Sequence, residues 1–222
     1  DPKISGFTTN PTLMRQAGVD NYEEFAKRAI KFLSEKRPET NLSLEVFADD
    51  KEEMIRQARL IDSWGEQHDY SVYVKIPVMH CDGSPTYDII TKLSEEGIKL
   101  NVTAVFSMRQ IYDVVHNVSK DTPSIVSIFA GRIADVGEDP VQMFNAFRVY
   151  RESLEKKNCE SLWASSREAY NYVTAKNCGA DIITMTPDLI KKVNGFGKDL
   201  EQFSQETCQM FYDDAVKSGF SI

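Results

Sequence analysis

The sequence predicts a parallel (β/α) barrel, on three observations. Segments rich in β-branched residues alternate with amphipathic stretches of helical period, the clearest of those segments are apolar at every second position, and their polar side chains all fall on the other parity. Strands are expected near 4–9, 42–48, 71–77, 98–103, 124–129, 160–165 and 181–185. Helices are expected between them at 22–33, 51–64, 86–96, 109–118, 140–154, 167–177 and 187–193. Such alternation implies right-handed crossovers between parallel neighbours. The apolar parity holds Leu42/Leu44/Val46, Val72/Val74/Ile76 and Ile98/Leu100/Val102. The polar parity holds Ser43/Glu45, Lys75 and Lys99/Asn101/Thr103, with Thr8, Asn10 and Ser127 in other strands. An open, doubly wound sheet meets helices on both faces and needs both parities apolar. A closed barrel turns one face inward, where polar groups gather near the carboxyl ends of the strands. Seven strands are one short of the usual eight, so one βα unit is expected to be missing ahead of the first. The chain 1–222 is expected to be a single barrel domain, with a C-terminal helix at about 198–217.

Composition narrows the function. A chain of 222 residues that is 41% hydrophobic can bury a large core, and no low-complexity stretch divides it. A net charge of −8 repels a phosphate backbone and argues against a nucleic-acid partner. There is no signal peptide and no apolar run long enough to span a bilayer. Cys81, Cys159, Cys178 and Cys208 form no CxxC pair, which fits reduced thiols in a cytoplasmic protein. His68, His80 and His116 lack metal-ligand spacing, and HExxH, P-loop and GxSxG motifs are absent, so neither metal nor cofactor is expected. His80-Cys81-Asp82-Gly83, after the third strand, reads as a plain loop.

Lys75 is the residue with the sharpest chemistry. It lies in Ser71-Val72-Tyr73-Val74-Lys75-Ile76-Pro77, a segment that reads as a strand buried on both faces. Loss of its water shell disfavours the charged form, and a neutral amine attacks carbonyl carbon to give a Schiff base. The alternative is a lysine that snorkels to the strand end and pairs with a carboxylate. Arg132 and Arg167 each follow the carboxyl end of a strand, where barrels bind phosphate. Either alone reads as a surface salt bridge; two at one rim, beside Ser127 and Ser165, point to an anion.

Gly6-Phe7-Thr8-Thr9-Asn10-Pro11, Val74-Lys75-Ile76-Pro77, Leu100-Asn101-Val102-Thr103, Phe129-Ala130-Gly131-Arg132 and Ala164-Ser165-Ser166-Arg167 resemble, in this order, the motifs of transaldolases. The short length resembles the family's compact branch, which includes the fructose-6-phosphate aldolases. The resemblance implies a barrel of the class I aldolase type with Lys75 as the Schiff-base lysine. It implies Glu45 as general acid and base acting through a water held by Thr103. Asn10 and Asn101, with Thr8, would bind the three-carbon fragment; Arg132, Ser165 and Arg167 would grip the phosphate, with Ser127 and Phe129 lining the cavity between. Glu45 has a structural alternative, as partner of a barrel lysine such as Lys99, and Asn10 could simply shape a turn before Pro11. The family's first-strand aspartate has no counterpart here, since Asp1 lies outside the matching position.

The compact aldolases usually place glutamine where Glu45 stands and tyrosine where Phe129 stands, so the resemblance implies transaldolase activity: transfer of a dihydroxyacetone unit from a ketose phosphate to an aldose phosphate, as in the pentose phosphate pathway. Fructose-6-phosphate cleavage and a non-catalytic sugar-phosphate binder are the alternatives. The stripe Leu200, Phe203, Thr207, Met210, Phe211 and Val216 on the C-terminal helix suits a barrel wall or a neighbouring subunit. By the family's habit, a homo-oligomer is expected.

Overall fold

The computed structural model describes residues 4–221, which fall into two units that divide after Met185. The first unit carries strands β1 (Gly6–Thr8), β2 (Asn41–Glu45), β3 (Ser71–Pro77), β4 (Leu100–Val105), β5 (Ser124–Ile128), β6 (Cys159–Trp163) and β7 (Ile182–Ile183). Its helices are α1 (Pro11–Gln16), α2 (Tyr22–Lys36), α3 (Lys51–Glu66), α4 (Tyr87–Glu95), α5 (Met108–Asn117), α6 (Ala130–Asp135), α7 (Val141–Ser153) and α8 (Asn171–Asn177). Side chains mark several starts. Asn10, Asn21 and Asp50 accept from backbone amides of α1, α2 and α3, and Ser107 with Gln110 forms a capping box on α5.

All seven strands are parallel and lie in sequence order. Right-handed crossovers that always step to the next position put the helices on one side. The other face must then curl on itself. Thr8 and Thr184, 176 positions apart, meet with hydroxyl oxygens at 3.0 Å. No ladder joins β1 to β7 among the described residues. The chain is therefore an α/β fold with a curled, barrel-like parallel sheet of seven strands.

The two faces differ as the parity of the sequence requires. Leu44, Val74, Ile76, Leu100, Val102, Val126 and Ile128 are fully buried against helix residues such as Ile30, Ala58, Ile89, Ile111 and Phe144 in one large cluster. On the inner face a separate, smaller cluster holds Tyr73, Ile125, Leu162 and Ala164. Register then sets the site: Glu45 pairs with Lys75, and Lys75 pairs with Asn101.

Some boundaries differ from expectation for local reasons. β4 begins at Leu100 because Gly97, at φ 87°, and the amide of Ile98, bonded to Leu93 O, still belong to the end of α4. Helix α8 begins at Asn171 rather than 167, because the Asn171 side chain accepts from the amides of Arg167 and Glu168. Helices α1 and α6, of six residues each, fall just after the strands expected at 4–9 and 124–129, where no element was expected.

The second unit holds α9 (Pro187–Val193) and α10 (Leu200–Ser218). Asp199 caps α10, and Gly219 ends it in the left-handed conformation. No residue of α10 is buried, and Leu200, Phe203, Met210, Phe211 and Val216 are all exposed. No described helix is long and apolar enough to cross a membrane.

Candidate active site

Lys75 sits mid-way along β3 on the inner face, and only 7% of it is exposed. Its Nζ donates to Glu45 Oε2 at 2.6 Å and to the carbonyl of Thr9 at 2.8 Å. The lysine is thus buried as the apolar strand requires, and paired through a carboxylate that is itself largely covered. Glu45 partners Lys75 and not Lys99, whose Nζ bonds instead to Ser71 Oγ at 3.1 Å. A buried pair of this kind offers a short path for a proton between amine and carboxylate.

The carboxyl end of β2 is pinned at several backbone groups around Glu45. Tyr22 Oη donates to the Glu45 carbonyl at 2.8 Å, and the Val46 amide donates to the Lys75 carbonyl. Gln57 Oε1 accepts from the amides of Phe47 and Ala48. Burial, and then the charge of Glu45, push the Tyr22 phenol well above its usual range, so it remains a donor. The ring of Tyr22 packs edge-on against Phe47, 5.3 Å between centroids.

Beside the lysine runs a buried polar chain. Asn101 Nδ2 donates to Ser43 Oγ at 3.1 Å, and Ser127 Oγ donates to Asn101 Oδ1 at 2.6 Å. Asn101 is fully buried, so these bonds fix its amide in one orientation. Thr103 is buried two positions further along β4, where its carbonyl accepts from the Val78 amide. The strand then bulges between Val102 and Val105, with Ala104 at φ 59°.

The rim residues divide. Thr8, half-buried, bonds Thr184, and Asn10 caps α1 through a 2.8 Å bond from the Leu13 amide. Asn10 thus lies at a helix start rather than within a strand. Arg132 opens α6, exposed, with its guanidinium 5.5 Å from the Phe129 ring centroid. Phe129 is half-buried and packs on Phe106. Ser165 adopts φ 65°, and its carbonyl lies so close to Gly131 that a Cβ there would stand 1.7 Å from the oxygen. Arg167 is exposed and makes a two-pronged ion pair with Asp135. Asp1 lies outside the described residues.

Sequence reasoning missed Tyr22, Gln57 and Asp135. Tyr22 and Gln57 sit on helices whose periodicity marks only a buried face, and Asp135 ends a helix too short to have a period. Among the described residues no three His, Cys, Asp or Glu side chains group as a metal site.

A curled parallel sheet with a lysine–carboxylate pair on its inner face and two arginines after successive strand ends defines an α/β barrel-like protein. The whole chain, 1–222, matches the family model described as Transaldolase/Fructose-6-phosphate aldolase, and the protein belongs to that family. A probable transaldolase of Dehalococcoides mccartyi is 33% identical over 184 residues, covering 82% of this chain and 76% of that one. One of Methanococcus maripaludis is 34% identical over 197 residues, 86% of this chain and 80% of its own. One of Streptococcus equi subsp. zooepidemicus is 33% identical over 190 residues, covering 86% and 80%.

Proposed function

We propose that this protein is a transaldolase that moves a dihydroxyacetone unit from a ketose phosphate to an aldose phosphate through a Schiff base on Lys75. The observation that carries the reading is the buried Lys75 amine held 2.6 Å from Glu45. The amine attacks the ketose C2 after its extra proton passes to Glu45, and Glu45 returns that proton as the C2 hydroxyl departs as water. The C3–C4 bond then breaks as the C4 hydroxyl passes its proton through a water to the Glu45 carboxylate, and the bonding electrons flow into the iminium to leave an enamine and a free aldose phosphate. The enamine carbon adds to the aldehyde of the acceptor, and hydrolysis frees the new ketose and the amine. The iminium supplies the electron withdrawal that a metal ion supplies in other enzymes.

In this reading Asn101, locked by Ser43 and Ser127, presents a fixed amide edge to the three-carbon fragment, with Thr8 and Asn10 at the carboxyl end of β1. Arg132, Ser165 and Arg167 hold the phosphate, and Ser127 and Phe129 line the cavity between. Glu45 and Phe129 favour transfer over release, because both differ from what the aldolase branch usually carries.

The test is the acceptor dependence of fructose 6-phosphate cleavage. Transfer predicts turnover only when an aldose phosphate is present. Cleavage at full rate without acceptor would assign the aldolase reaction instead. The reading also places the protein in the cytoplasm as a homo-oligomer built through the exposed apolar side chains of α10. A monomeric mass by light scattering at micromolar concentration would remove that last element.

A further inference from the structure

We propose that Asp135 is a positioning residue for substrate phosphate, acting through Arg167; this rests on the phosphate-binding reading above. Asp135 Oδ2 accepts from Arg167 Nη2 at 2.5 Å and from Nε at 3.1 Å, and Oδ1 lies 3.2 Å from Nε. A guanidinium carries five N–H donors in a rigid plane. Asp135 occupies the edge formed by Nε and one hydrogen of Nη2. The end-on edge, with one hydrogen of Nη1 and the second of Nη2, is left for a two-pronged grip on phosphate.

The stem of Arg167 is held by the same short helix. Its Cγ lies 3.1 Å from where a Cβ on Gly131 would stand, so the side chain crosses the first turn of α6 before reaching Asp135 at its end. Arg132 and Asp135 are three apart on that helix, a spacing that makes them surface neighbours. Helix α6 therefore supplies one arginine, whose guanidinium lies over the Phe129 ring, and clamps a second at two points, one of them the Asp135 carboxylate.

Two cations drawn to a single anion repel each other until it arrives. Asp135 offsets that repulsion and holds the Arg167 side chain in one orientation. Its own charge also opposes the arriving phosphate. The Arg167 and Asp135 side chains are 48% and 50% exposed, so the high dielectric of the surrounding water weakens that opposition. Orientation, which is not screened, decides the sign.

The experiment compares Michaelis constants for fructose 6-phosphate and for unphosphorylated fructose, with one acceptor, in wild type, Asp135→Ala and Asp135→Asn. Asp135→Ala is expected to raise KM for the phosphorylated sugar on the order of tenfold, as for groups that orient a ligand's contacts from one step further out. The shift for fructose stays below about twofold, which separates phosphate positioning from general damage. Asp135→Asn keeps an acceptor for Nε and recovers most of the loss. An unchanged or lowered KM in Asp135→Ala, or equal shifts for both sugars, overturns the inference. A wild-type protein with no activity and no borohydride-trapped adduct would bring down the proposed reaction itself; an active wild type with an unresponsive Ala variant brings down this inference alone.

Discussion

The hydroxyls of Thr8 and Thr184 stand 3.0 Å apart, joining the carboxyl ends of β1 and β7 where no backbone ladder does. The sheet's curl is visible in that one contact, because neither strand is the other's neighbour in sequence order. A neutral hydrogen bond is worth about 0.5–1.5 kcal/mol net. A double-mutant cycle with Thr8→Val and Thr184→Val, read by urea denaturation, should return a coupling energy of about that size. Strict additivity would mean the two strand ends stabilise the fold independently.

Gly131 is irreplaceable for a different reason. Any Cβ there meets the Ser165 carbonyl oxygen at 1.7 Å, and that atom belongs to backbone already held at φ 65°. Neither side can yield without moving the loop that carries Arg167. Gly131→Ala should cost about 1–3 kcal/mol of stability and weaken binding of phosphorylated sugar in the same protein. An alanine variant with wild-type melting temperature would show that the loop repacks freely.

Glu160 gives a pH-dependent prediction. Partial desolvation of a side chain that stays exposed at the strand surface, and then the negative charge of Asp181, raise its carboxyl above the usual range, with Arg151 opposing. A raised pKa means the folded state binds the proton more tightly than the unfolded chain, so ionised Glu160 disfavours folding at neutral pH. That penalty fades as pH falls through the folded-state value and is gone once Glu160 is protonated in both states. Glu160→Gln should therefore melt higher than wild type near pH 7, with the difference closing as the buffer is acidified. A difference that grows on acidification would carry the wrong sign.

Much of this arrangement was legible because strand parity is a strong constraint. One lysine among Val72, Tyr73, Val74 and Ile76 cannot be an ordinary surface cation, and Ser43, Asn101 and Ser127 share the inner parity that the structure joins by hydrogen bonds. What the alternation could not specify was which inner residues touch. The pairing of Glu45 with Lys75 instead of Lys99 follows from register between β2 and β3, which depends on how the sheet curls. Helix α6 has no capping side chain at Phe129 and only six residues, too few to express a period. Helix α1 did carry its signal, since Asn10-Pro11 is a cap followed by a first-turn proline, but the same dipeptide also reads as a turn. Asp135 lies 32 positions from Arg167, and no local pattern links them.

The most direct measurement is reduction with sodium borohydride in the presence of fructose 6-phosphate, followed by mass analysis of the intact chain and its peptides. A covalent sugar-derived adduct confined to the peptide that contains Lys75, and missing from Lys75→Met, is the predicted result. An unmodified Lys75 peptide, or equal labelling of wild type and Lys75→Met, would contradict a Schiff base at this buried amine.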